Sequence, residues 1–77
     1  MDREGNEYVE LMIYRYYTFY RPPMPGAIPK GALNTFSYDN KKIVSEIGRP
    51  AWGYADYDHE LSEDEVREHE LSDCVRI

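Results

Sequence analysis

The sequence has one cysteine, Cys74, and no apolar run near the ~20 residues that a membrane-spanning helix requires. A lone cysteine excludes an internal disulfide, and no Cys/His spacing matches a structural zinc site. Without such staples, a chain of 77 residues is thinly stabilised, because a fold of this size buries only about 60% of the surface its unfolded form exposes. A small unstapled fold points to a reducing compartment or to help from oligomerisation. The stretch MDREGNEYVE is acidic and polar where a secretory signal is basic and then apolar. The expectation is a cytoplasmic protein that holds no metal or cofactor and does not engage a membrane.

Catalytic machinery is equally scarce. His59 and His69 fall on different expected elements, Ser45 and Ser62 have no evident base, and Cys74 does not open a helix that would lower its pKa. No glycine-rich phosphate loop follows a strand. Asp56, Asp58, His59 and Glu60 supply metal-ligand types, but strand alternation points Asp56 and Asp58 away from His59, and the glycine of a calcium loop is missing. The expectation is a protein that is not an enzyme.

Aromatic side chains, in contrast, are abundant: eight Tyr, two Phe and Trp52. Tyrosine buries a ring but needs a partner for its hydroxyl, which favours core boundaries and interfaces. Residues 8–20 read as a strand, rich in β-branched and aromatic residues and free of Gly and Pro. Both of its faces are largely apolar, so it is expected to be central and covered on both sides. Pro22, Pro23, Pro25 and Pro29 then end it, and with Gly26 they predict an ordered loop rather than a hairpin. Pro22 and Pro25 also satisfy P-x-x-P, but no basic residue stands where such ligands carry one.

Residues 34–38 read as a second strand and 51–58 as a third, with Trp52 and Tyr54 on one face and Gly53, Ala55 and Tyr57 on the other. The segment between them reads either as a helical turn or two over residues 40–47, capped by Asp39 and stopped by Gly48 and Pro50, which is the reading favoured, or as a short strand. In LSEDEV, Ser62 with Glu65 forms a capping box, and Leu61 and Val66 stand at staple positions, predicting a helix over 62–71. Residues 1–7 lack periodicity and are expected to be disordered. Met12 opens the aromatic stretch and is a plausible native start. The fold expected is α+β: one domain with a three-stranded, mostly antiparallel sheet and one C-terminal helix.

The net charge of −6 is unevenly spread. From Asp56 to Asp73 nine acidic residues face Arg67 alone, a balance of −8, whereas from Leu11 to Arg49 six basic residues face Asp39 and Glu46, a balance of +4. The acidic stretch reads either as a solvated face or as a phosphate mimic for a basic protein surface. Arg15 and Arg21 interleaved with rings would suit single-stranded nucleic acid, but the overall charge argues against that reading.

The segments YRYYTFYRPPMPGAIPKG and AWGYADYDHELSEDEV, within residues 12–71, resemble small uncharacterised proteins of Gram-positive gut bacteria and their mobile elements. That resemblance implies no activity and transfers no functional residues. Two functions follow from the residues. The first is an interaction module that self-associates, as a dimer, through its tyrosine-rich strand. The second is a phage or mobile-element accessory protein whose acidic helix engages a basic nucleic-acid-binding protein. The candidate interaction residues are Tyr14, Tyr16, Tyr20, Arg21, Trp52, Tyr54, Glu63, Asp64 and Glu68.

Overall fold

The computed structural model describes residues 12–77. The expectations for residues 1–7 and for the first part of the 8–20 strand lie outside the described residues. The elements, in chain order, are β1 (Tyr14–Thr18), β2 (Asn34–Val44), β3 (Arg49–Tyr57), a short helix α1 (Glu63–Glu68) and β4 (Val75–Arg76). They form one four-stranded antiparallel sheet in the order β2-β3-β1-β4. Among the described residues the sheet therefore has four strands and not three. The additional one comes from the C-terminal segment, where Leu71 and Val75–Arg76 run back along β1.

β1 is central, between β3 and β4, and shorter than its aromatic run suggested. Tyr16 faces one side of the sheet with Ala55 and Tyr57, beneath Ile28, Leu61 and Leu71. Tyr17 faces the other with Tyr54, beside Val44, Ala51, Tyr38 and Ile47. The two most deeply buried rings, Tyr16 and Tyr57, each have a hydroxyl partner. The Leu61 N–H donates to the Tyr16 hydroxyl at 2.9 Å, and the Tyr57 hydroxyl donates to the Pro29 carbonyl at 2.6 Å. Both of those contacts hold covering segments onto the first face.

The proline segment is one of those covers. Met24, Pro25, Gly26 and Ala27 form a turn closed by the Ala27 N–H on the Met24 carbonyl at 2.8 Å. Gly26 has a φ of 91° there, which proline at the second position and glycine at the third of a type II turn provide. Pro23, Ala27, Ile28 and Pro29 are buried.

The middle segment takes the strand alternative and not the favoured helical turns. Residues 40–44 continue β2 instead of forming a helical turn, and Ser45, Glu46, Ile47 and Gly48 make the hairpin loop to β3. The Gly48 N–H donates to the Val44 carbonyl at 2.8 Å, and Gly48 takes a φ of 70°. Those features are the marks of a helix end, but here they close a hairpin loop. Ser37 pairs with Gly53 and Lys42 with Ala51, so residues 38–41 stand opposite Trp52 alone. This large bulge bends the hairpin and tucks Tyr38 against Phe36 and Tyr54.

The helix starts where the sequence placed it. Ser62 is the N-cap, accepting from the Glu65 N–H at 3.1 Å while Glu65 accepts from the Ser62 N–H at 2.9 Å. It ends at Glu68 and not at 71, because Glu70 adopts a φ of 56°. The Leu71 N–H then bonds the Val66 carbonyl and the Glu70 N–H bonds the Arg67 carbonyl, a Schellman closure with Leu71 against Val66. No helix among the described residues is long and apolar enough to cross a membrane.

Candidate functional site

Three surface features emerge from this arrangement. The first is the acidic end. α1 and its flanks expose Asp58, Glu60, Glu63, Asp64, Glu68, Glu70 and Asp73. Arg67 is committed to Asp64 on the same helix, and Arg21 reaches Glu70 at 3.2 Å. Beside the helix lies an open hollow of about 380 Å³, lined by Tyr16, Leu61, Val66, Leu71 and Cys74 and by the charged Glu60, Glu63, Arg67, Glu70 and Asp73. A hydrogen bond from the Ser62 N–H holds the Glu65 carboxyl below the usual carboxylate range, and one from His59 does the same for Asp58.

The second feature is an ordered stack on the opposite face. Arg15 donates from Nε and Nη2 to the two carboxylate oxygens of Asp56 at 2.7 and 2.9 Å, and Asn34 adds a bond from Nδ2 at 3.1 Å. The Arg15 guanidinium lies 3.7 Å from the centroid of the Tyr54 ring, and Tyr54 stacks on Phe36 at 5.6 Å with an interplanar angle of 21°. The ion pair holds Arg15 still further on its charged side. Asp56 is 3% exposed, so the pair is structural in position, and its carboxylate is withdrawn from the acidic surface.

The third is a groove of about 340 Å³ between the proline loop and β2, lined by Pro23, Met24, Pro25, Ile28, Pro29 and Thr35 among others.

The residues singled out from the sequence do not converge on one place. Glu63, Asp64 and Glu68 share the acidic end. Tyr16 is 1% exposed and belongs to the core, and Tyr14 packs half-buried beside it. Tyr54 is the middle of the Arg15 stack. Trp52 is half-buried opposite the bulge, with the Lys41 ammonium 5.9 Å from its centroid. Tyr20 and Arg21 are exposed at the end of β1. Both arginines considered for nucleic-acid contact, Arg15 and Arg21, are thus engaged in ion pairs within the chain.

The acidic helix packs on the Tyr16 side of the sheet through Val66, with Leu71 just beyond its end, whereas Lys41 and Lys42 lie on β2, two strands from β1. Sequence reasoning missed the hollow and the groove although each is lined mainly by one stretch, residues 60–74 and 23–35, because the way each stretch folds back on the sheet has no local sequence signal. The Arg15–Asp56 pair did leave a trace: two charges inside otherwise apolar strands. Among the described residues, no group of three or more His, Cys, Asp and Glu side chains converges as metal ligands.

Residues 11–74 match the protein family described as defence against restriction A C-terminal. No curated protein and no solved structure matches the chain.

Proposed function

The chain belongs to the defence against restriction A C-terminal family, and from that premise we propose that it is a non-enzymatic accessory module of a phage or mobile element. In this reading it works in the cytoplasm, and its acidic end engages the basic DNA-binding surface of a restriction endonuclease. Such enzymes hold DNA largely through Lys and Arg contacts to phosphate. A dense carboxylate surface competes for the same contacts, and steering by opposite charge speeds the encounter.

The observation that carries this reading is the hollow beside α1. Carboxylates of Glu60, Glu63, Glu70 and Asp73 line it together with the apolar Leu61, Val66 and Leu71, which suits a long basic side chain whose methylenes seek cover while its charge seeks partners. Mixing the chain with a purified restriction endonuclease and its DNA substrate tests it. The expected result is slowed cleavage that disappears as salt rises; undiminished cleavage at low salt would remove the proposal.

The self-associating module has less support. Its motive was a strand apolar on both faces with too little cover, and β1 is covered on both faces by its own chain.

A further inference from the structure

The geometry points to a peptide-docking edge at the first four residues of β2, distinct from the acidic end and independent of the reading above. Among the described residues, β2 is an outer strand with a neighbour on one side only, and residues 34–37 are all exposed. A strand edge of this kind offers backbone donors and acceptors to an extended chain.

Two neighbouring features turn the edge into a bounded site. On one face, Thr35 forms a wall of the proline-loop groove, opposite Met24 and Pro25. Met24 is 51% exposed, so an apolar side chain of an added strand has a ready contact there. On the other face stands Phe36, 50% exposed and fixed by its stack on Tyr54, the ring that Arg15 also covers. Past Ser37 the bulge departs from regular pairing, which limits an added strand to a short segment.

Charge selects the occupant. Lys30 lines the groove beside Thr35, and Lys41 and Lys42 are exposed farther along β2, past the bulge, with Asp39 the one carboxylate on that strand. A second copy pairing here would bring like charges together, whereas an extended acidic peptide with alternating apolar residues meets opposite charge. The occupant inferred is therefore a segment of that chemistry from a partner protein.

The probe is a short synthetic peptide alternating valine and glutamate, blocked at both ends, titrated into the chain while backbone amides are followed by NMR. The expected result is saturable shifts and slowed hydrogen exchange at residues 34–37, with Met24→Asp weakening binding by about tenfold. Met24 is half-exposed on a loop, and unchanged amide positions elsewhere would verify that this variant folds. Three results would overturn the inference. One is no shift at residues 34–37. Another is an equal response to a glutamate-only peptide, with shifts confined to the lysines. The last is protection of residues 34–37 without peptide, together with a doubled solution mass, which would assign the edge to a second copy.

Discussion

Pro23 rests directly on Gly53: a β-carbon at Gly53 would stand 2.9 Å from the Pro23 Cδ, and nearer still to the Phe36 carbonyl oxygen. The proline loop can lie across the sheet because position 53 is bare. Gly53→Ala would force either the loop or β2 outward, and backbone cannot yield as a flexible side chain can. We expect a loss of about 2 kcal/mol or more, read as a lower denaturation midpoint. Wild-type stability in that variant would show that the loop does not depend on this contact.

That contact also marks how far the sequence could be read. Gly53 and Ala55 were legible as small residues on one face of a strand, and the four prolines as an ordered loop, but nothing in either segment said that one covers the other. The capping box of Ser62 and Glu65 was legible because both halves lie within one turn. The length of β2 was not: residues 39–42 are polar and do not alternate, and Gly48 signals a chain reversal equally well at a helix end and in a hairpin loop. β4 escaped because a two-residue strand defined by pairing with β1 has no periodicity of its own. Of the site, the acidic residues were legible as a run, whereas the core position of Tyr16 was not, since a strand apolar on both faces does not say which rings are buried.

Asp56 and Arg15 form a two-point ion pair in which Asp56 is almost wholly buried. Removing one partner leaves a charge without compensation in a site shaped for two. Asp56→Ala should cost about 3 kcal/mol or more, measured by chemical denaturation. Arg15→Lys should fail to preserve full stability, because an ammonium reproduces neither the fork nor the stacking on Tyr54.

Glu70 holds a left-handed backbone conformation that glycine adopts without steric cost. Glu70→Gly should therefore stabilise the chain by about 0.5–1 kcal/mol, even though it removes an exposed ion pair with Arg21 whose worth is small. A raised melting temperature is the expected readout, and a lowered one would show that the Arg21 contact outweighs the backbone term.

Burial raises the tyrosine pKa from its ordinary 10.0 to about 12 at Tyr16 and at Tyr57. In the unfolded chain both groups ionise near 10, so the folded state binds more protons above that pH. Their contribution to stability is fully present below pH 10 and is lost as pH rises through about 12. Stability should accordingly fall across that window, with tyrosinate absorbance appearing together with unfolding. Tyr57→Phe should flatten the fall, while costing about 1 kcal/mol at neutral pH through the bond lost to Pro29.

The central claim, that the acidic end competes with DNA for a restriction endonuclease, is tested most directly by titrating the chain against the enzyme with and without bound DNA. The variant for comparison is Glu63→Lys with Asp64→Lys and Glu68→Lys, all three exposed positions, its fold checked by circular dichroism. The account predicts binding to the free enzyme that weakens with salt, is displaced by DNA and falls by at least about tenfold in the variant. Equal affinity for the free and DNA-loaded enzyme, or undiminished binding by the variant, would contradict it.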